Sequence, residues 1–109
     1  MLNLTGATRI FLRAGATGLR LGFAGLHALV ETQLHQDVLS GHVFVFCNRD
    51  RTRIKTLAWD GSGLWLCTKR LERGTFGWIK TADTEVAPAE LQAMLAGLEI
   101  QAQRVWYRR

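Results

Sequence analysis

The sequence predicts an α+β domain: an antiparallel β-meander of about four to five strands, packed by one N-terminal helix and followed by a second, short C-terminal helix. Three observations predict it. Strand-like segments separated by turn residues fill positions 41–80, apolar residues recur at helical spacing before them, and Pro88 opens a second helical pattern after them. With 109 residues, 48% of them apolar, the chain has the size and composition of one globular domain, 1–109.

The N-terminal part of the chain predicts a strand and then a helix. Residues Thr8 to Arg13 are rich in β-forming residues and predict a strand that ends at Ala14-Gly15. The helix is expected to start at a cap formed by Thr17 or Gly18 and to run to about His35. Two glycines inside it, at 22 and 25, predict a close approach of the helix to the sheet. The side chains expected to be buried are Leu19, Phe23, Leu26, Leu29, Val30 and Leu34.

The segment from Val43 to Cys47 is apolar on both faces, which is typical of a central strand. Later strands follow at short turns, and an Asp-Gly dipeptide at 60–61 is the strongest turn signal. The predicted series is turn 48–52, strand 53–59, turn 60–63, strand 64–71, turn 72–74 and returning strand 75–79. An acidic loop is expected at 81–85, before a helix that begins at Pro88 and turns Leu91, Met94, Leu95 and Leu98 toward the core.

The net charge of the chain, +5, is concentrated in residues 49–80, which hold eight basic and three acidic residues. The rest of the chain is neutral. A basic segment of this kind favours a partner with negative charge, with nucleic acid first, then an acidic protein surface, then an anionic membrane. The same pattern is also typical of a solvated sheet face.

Tryptophans lie among these basic residues. Lys55 and Trp59 share one face of their strand, and Trp65 and Lys69 are in phase on the next strand. If the two faces align, lysine and tryptophan side chains interleave on a surface suited to phosphate contact and base stacking; alternatively, the tryptophans are core residues covered by lysine stems. The candidate nucleic-acid-binding residues are Arg49, Arg51, Arg53, Lys55, Trp59, Lys69, Arg70 and Arg73.

The residues that would support other chemistry are sparse. Three histidines and two cysteines lack the paired spacings of a zinc site, and no phosphate loop or nucleophile motif is present. We therefore expect no metal, no cofactor and no enzymatic activity. Cys47 and Cys67 lie in apolar strand patterns and no signal peptide is recognisable, so a cytoplasmic protein with reduced thiols is expected, with no membrane-spanning segment. The alternative is a disulfide, because adjacent strands could bring the two cysteines together.

Three motifs in order resemble a known family. They are Ser40-Gly41-His-Val-Phe-Val-Phe, then Lys55-x-Leu57-x-Trp59-Asp60-Gly61-x-Gly63-Leu64, and Lys69-Arg70-Leu71-Glu72-Arg73-Gly74-x-Phe76-x-Trp78. In this order they resemble the TnpB-type accessory protein, the second open reading frame, of the insertion-sequence-sixty-six family of bacterial transposable elements. The resemblance covers nearly the full chain.

The resemblance implies an accessory factor in DNA transposition that assists a separate transposase, which carries the catalytic residues. Two hypotheses follow. In the first, the basic meander binds DNA and other surfaces meet the transposase. In the second, the chain is a protein-interaction scaffold that binds the transposase without contacting DNA. Edge strands in a small sheet are compatible with a homodimer and do not require one.

Overall fold

In the computed structural model, residues 8–18, 20–76 and 84–95 are described. They form five strands, two α-helices and one turn of 3-10 helix. In chain order these are β1 Ile10–Leu12, α1 Phe23–Thr32, the 3-10 helix Val38–Ser40, β2 Val43–Cys47, β3 Arg53–Trp59, β4 Leu64–Arg70, β5 Thr84–Val86 and α2 Pro88–Leu95. The predicted α+β class is confirmed.

The five strands form one sheet in the order β4-β3-β2-β1-β5. β2, β3 and β4 are the predicted antiparallel meander, whereas β1 pairs with β2 in parallel and with β5 antiparallel. The parallel pair arises because α1 carries the chain from the end of β1 back to the start of β2, which is the crossover that parallel strands require. The sheet is therefore mixed, and its first strand departs from the predicted antiparallel pattern.

Both faces of the sheet are covered near β2, so every residue of that strand is buried, as predicted for a central strand. The α1-side core consists of Leu26, Val30, Val38, Phe44, Phe46 and Leu57. The α2-side core consists of Ile10, Leu12, Val43, Val45, Cys47, Ile54, Ala58, Phe76, Val86 and Leu91. The alternation of β2 thus supplies Phe44 and Phe46 to one core and Val43, Val45 and Cys47 to the other.

The first helix is shorter than predicted, and the expected cap at Thr17 or Gly18 is wrong. α1 begins after Gly22, and no side chain forms a capping hydrogen bond there. Thr17 is buried, and its N–H donates to the Cys47 carbonyl at 2.8 Å, so this segment is hydrogen-bonded to the end of β2 and does not form a helix. At the other end His35 has a φ of 54°, and the Val30 carbonyl accepts from Gln36 N–H.

These bounds change which side chains of α1 are buried. Leu26 and Val30 are fully buried, but Phe23, at the first position of the helix, is 49% exposed, which contradicts its predicted place in the core. Gly22 and Gly25 were predicted to let the helix approach the sheet closely, and this prediction is also wrong. A Cβ at Gly25 would lie 2.6 Å from Cδ2 of Leu21, not against the sheet, and one at Gly22 would meet nothing within 4 Å. Leu19 lies outside the described residues.

Two predictions after β4 are corrected. Thr75 and Phe76 are not in a strand, and the remainder of the predicted strand 75–79 lies outside the described residues. Thr84 and Glu85, predicted as loop, belong to β5 because Val86 is buried in the α2-side core and the Glu85 carboxylate pairs with Arg9 at 2.8 Å. The predicted helix start at Pro88 is confirmed. No helix in the described part of the chain combines the length and the apolar character needed to cross a bilayer.

Candidate nucleic-acid interface

The turn that joins β2 to β3 is built by one asparagine side chain. Asn48 is 8% exposed, and its Oδ1 accepts hydrogen bonds from the backbone N–H groups of Thr52 and Arg53, both at 2.9 Å. Its Nδ2 donates to the Thr52 hydroxyl at 3.1 Å. Within the turn Arg51 adopts a left-handed φ of 59°, and its N–H donates to the Asn48 carbonyl. The turn is therefore held in one conformation, with the neighbouring arginines on it.

The segment after β4 is fastened to the same turn. Leu71 N–H donates to the Thr52 carbonyl at 2.8 Å, and Phe76 N–H donates to the Arg51 carbonyl at 2.7 Å. Phe76 is fully buried in the α2-side core. These three attachments hold the intervening residues, including Arg73, beside the β2–β3 turn.

The sheet register adds a pair of arginines at this end. Arg53 at the start of β3 is the direct cross-strand partner of Arg70 at the end of β4. Like charges placed opposite each other destabilise a sheet, so folding alone does not favour this pair. Arg70 contacts the Glu72 carboxylate at 3.3 Å. We call the resulting surface the arginine end: Arg49, Arg51, Arg53, Arg70 and Arg73, with Asp50 and Glu72 as its acidic residues.

Most of the guanidinium groups of the arginine end have no partner among residues 8–18, 20–76 and 84–95. Within the described part of the chain, the side chains of Arg49, Arg51, Arg53 and Arg73 form no hydrogen bond or ion pair. Arg49 and Arg73 are exposed, and Arg51 and Arg53 are half-buried. A guanidinium is always charged and presents several N–H donors, which suits it to phosphate and carboxylate oxygens.

Arg13 lies beside the arginine end and was not among the candidate residues. The parallel pairing of β1 and β2 brings the carboxyl ends of both strands together, and Arg13 N–H donates to the Val45 carbonyl. Its guanidinium bonds to the Ala16 carbonyl at 2.9 Å and the Thr17 hydroxyl at 3.0 Å. An open groove separates this loop from the turn and is lined by residues 16–18 and 48–50. Only a prediction of parallel pairing would have found Arg13.

Both candidate lysines have structural partners. Lys55 is half-buried, and its Nζ donates at 2.8 Å to the Leu21 carbonyl just before α1. Lys69 Nζ donates to the Leu95 carbonyl in the last turn of α2, where a positive charge also interacts favourably with the helix dipole. Each lysine therefore fastens a helix to the sheet, and less of its binding capacity is left for phosphate.

The predicted lysine–tryptophan platform is wrong. The register pairs Lys55 with Thr68 and Ala58 with Trp65, so Lys55 and Trp59 lie on the α1 side of the sheet while Trp65 and Lys69 lie on the α2 side. Trp59 is half-buried and stands at the opposite end of β3 from Arg53, about 20 Å away at the rise of a β-strand. The aromatic and cationic side chains thus do not form one stacking surface.

Trp65 is instead part of the β3–β4 turn. It is 50% exposed, and its indole Nε1 donates to Oδ2 of Asp60 at 2.7 Å. Asp60 Oδ1 accepts from the backbone N–H groups of Ser62 and Gly63. These hydrogen bonds lower the pKa of Asp60 to about 2, and the bond from the Ser62 N–H contributes most to the shift. The predicted turn is confirmed, and its carboxylate is fully engaged in holding it.

Hydrogen bonding and burial explain the shifted pKa values of other side chains. Arg9 forms two hydrogen bonds with the Glu85 carboxylate, and the Arg9 hydrogen bond lowers the pKa of Glu85. Burial raises the pKa of the Cys47 thiol to about 12. Both cysteines are free, and β3 lies between the strands that carry them.

No group of three or more histidine, cysteine or acidic side chains suited to a metal ion occurs among residues 8–18, 20–76 and 84–95.

Comparison with known proteins agrees with the resemblance in the motifs. The model of a family described as IS66 Orf2 like protein matches residues 8–105. The chain belongs to the IS66 Orf2-like family. Its role is therefore that of a transposition-associated accessory protein of IS66 elements.

Two curated relatives from Sinorhizobium fredii (strain NBRC 101917 / NGR234) are similar over most of their length. Protein y4hO is 37% identical over 93 residues, which cover 84% of this chain and 81% of the relative. Protein y4jC is 35% identical over 101 residues, which cover 91% of this chain and 86% of the relative. No solved structure matches the chain.

Proposed function

We propose that this IS66 Orf2-like protein binds DNA through the arginine end while it assists a separate transposase. The observation that carries the proposal is the set of guanidinium groups collected at one end of the sheet without partners in the described part of the chain. The cross-strand pair of Arg53 and Arg70 supports it, because a bound phosphate would offset the repulsion that the register creates.

The composition of this surface favours contact with the phosphate backbone. Arginine contacts to phosphate position a protein on DNA and carry no sequence information by themselves. Among the described residues, neither Trp59 nor Trp65 lies at the arginine end, so base stacking is not expected to contribute there. We therefore expect binding with a steep salt dependence and little sequence preference from this surface alone.

The test is the affinity of the full chain for a labelled duplex carrying the terminal repeats of its element, against a scrambled duplex, between about 50 and 200 mM salt. Replacing Arg49, Arg53 and Arg73 with Gln, and Arg51 with Asn to retain its left-handed φ, should weaken binding. It should also flatten the plot of log K against log salt by about 0.9 for each phosphate that the variant no longer neutralises.

A matched pair of single variants separates position from net charge. Arg49→Gln and Arg9→Gln each remove one positive charge, but Arg9 lies at the amino end of β1, remote from the arginine end, and pairs with Glu85. Arg49→Gln should weaken binding more than Arg9→Gln. Equal effects would show that overall charge, not the arginine end, governs the interaction.

The alternative is a protein-interaction scaffold whose arginine end meets an acidic surface of the transposase. Carboxylates accept from guanidinium groups as phosphates do, so the same geometry serves both partners. Absence of DNA binding at the lowest salt, together with transposase capture that survives nuclease treatment and is abolished in the arginine variants, would replace the DNA-binding proposal with this one.

A further inference from the structure

In the described part of the chain, the outer edge of β4 is an unpaired strand edge. β4 runs over Leu64–Arg70, pairs only with β3 among the described strands, and contains no proline. Its register with β3 continues through all seven pairs without a bulge. Strand edges in monomers are usually shortened, bent or covered, because an exposed regular edge is a template for pairing.

The hydrogen-bond phase of β4 identifies which backbone groups face outward. Asp60 N–H donates to the Gly63 carbonyl at one end of the hairpin, and Leu71 N–H donates to the Thr52 carbonyl at the other. In an antiparallel ladder hydrogen-bonded pairs alternate with non-hydrogen-bonded pairs. It follows that the N–H and C=O groups of Trp65, Cys67 and Lys69 face β3, while those of the intervening residues point away from the sheet. These outward residues are Leu64, Leu66, Thr68 and Arg70.

We propose that β4 pairs with β4 of a second copy of this chain, antiparallel and about a two-fold axis at Cys67. In this register Leu66 lies opposite Thr68 of the second copy, and Leu64 lies opposite Arg70 of the second copy. All four are outward-facing residues, so each pair exchanges two backbone hydrogen bonds across the interface. The two sheets then join into one continuous sheet.

The side chains of β4 are self-complementary in this register. Trp65 lies opposite Lys69 of the second copy on the α2 side of the sheet, and the axis repeats this contact. Trp65 is half-exposed and Lys69 is exposed, and at a non-hydrogen-bonded pair they are close enough for a cation–π contact. The Lys69 ammonium has three N–H donors, of which the Leu95 carbonyl accepts from one. Arg70 meets Leu64 of the second copy, so no like charges become cross-strand partners. A register centred one residue to either side would lack these pairings.

The axis also places the two Cys67 residues opposite each other. They form a non-hydrogen-bonded pair, for which the Cα atoms are about 4.5 Å apart, within the range of a disulfide. Cys47 is buried on β2 and cannot reach a second copy. The dimer contact shares only Arg70 with the arginine end, and it does not depend on DNA binding.

The test combines molar mass with oxidative cross-linking of the full chain. Light scattering after size exclusion should give a dimer. Oxidation with diamide, which takes up two electrons and two protons from the two thiols as they join as S–S and is itself reduced to the hydrazine, should give a covalent dimer. Cys67→Ser should abolish the covalent dimer, whereas Cys47→Ser should retain it. A covalent dimer that persists in Cys67→Ser would overturn the register.

Two kinds of variant test the interface itself. Thr68→Pro removes an outward N–H without removing a bond to β3, and should give a folded monomer, whereas Thr68→Val retains the N–H and should remain dimeric. Trp65→Lys should give a monomer by placing lysines opposite lysines, whereas Trp65→Glu, which loses the same indole but places a carboxylate opposite Lys69, should remain dimeric. A dimer that survives Thr68→Pro, or a parent chain monomeric at about 100 µM, overturns the proposal. If the parent chain is monomeric and captures the transposase, and Thr68→Pro abolishes that capture, then the β4 edge binds the transposase instead of a second copy.

Discussion

Replacing Asn48 with Ala should destabilise the domain and loosen the turn that presents the arginine end. The substitution removes the acceptor for two backbone N–H groups, those of Thr52 and Arg53, in a turn where Asn48 is 8% exposed and its partners are half-buried. A buried donor left without a partner costs about 1–3 kcal/mol. Because water reaches part of this turn, we expect a total loss of about 2–4 kcal/mol in the free energy of unfolding.

A loss of that size is a large share of the about 5–15 kcal/mol that stabilises a typical domain. Equilibrium unfolding in urea, followed by tryptophan fluorescence, would measure it. With a slope of about 1.5 kcal/mol per molar, a loss of about 3 kcal/mol lowers the midpoint by about 2 M. The slope itself should stay constant, since the substitution leaves the surface exposed on unfolding nearly unchanged.

The control is Asn48→Asp, which retains the acceptor oxygen and loses only the Nδ2 bond to the Thr52 hydroxyl. Its loss should be about 1 kcal/mol or less. Equal losses for the Ala and Asp variants would show that the acceptor bonds are not the cause. A loss below about 0.5 kcal/mol for Asn48→Ala would refute the argument that this side chain holds the turn.

Three further predictions concern residues that are not part of the arginine end. Lys55→Met keeps the apolar stem but removes the bond to the Leu21 carbonyl; it should cost about 1–2 kcal/mol and speed amide hydrogen exchange at the start of α1. Native Cys47, buried with its pKa raised to about 12, should resist iodoacetamide at pH 8 while Cys67 is alkylated, as mass spectrometry of digests would show. The pKa of Asp60 is about 2 in the folded chain against an ordinary 3.8, so its stabilising effect is complete above about pH 4 and is lost as the pH falls toward 2. The stability difference between the parent and Asp60→Asn should therefore shrink over that interval.

Each of these has a clear contrary result. Unchanged exchange at the start of α1 in Lys55→Met would mean that the ammonium does not hold the helix there. Alkylation of Cys47 as fast as Cys67 in the native state would contradict the burial of β2. A stability difference for Asp60→Asn that stays constant from about pH 5 to about pH 2.5 would mean that the carboxylate is not the group that stabilises the turn.

Local chemistry determined much of the fold in advance. The doubly apolar run from Val43 to Cys47 predicted a central strand, the Asp60-Gly61 turn predicted the β3–β4 hairpin, and Pro88 predicted the start of α2; all three are confirmed. The ordered motifs around them were sufficient to indicate the family. These features were predictable because each depends on residues within a few positions of one another.

The candidate site was less predictable because it depends on register and on contacts distant in sequence. Alternation along each strand was predicted correctly, but pairing Lys55 with Thr68 instead of Lys69 put the expected platform on two opposite faces. The parallel pairing of β1 with β2 brought Arg13 to the arginine end. The cross-strand partnership of Arg53 and Arg70 likewise exists only once the hairpin has closed.

The sequence by itself determined the composition of the basic segment, the class of the fold and most of the strands of the meander. The tertiary structure alone decided which cations remain available. Lys55 and Lys69 bind backbone carbonyls near the start of α1 and in the last turn of α2, whereas four arginines of the arginine end have no partner in the described part of the chain. The reason is that charge is a property of each residue, whereas its compensation depends on the groups that folding brings within hydrogen-bonding distance.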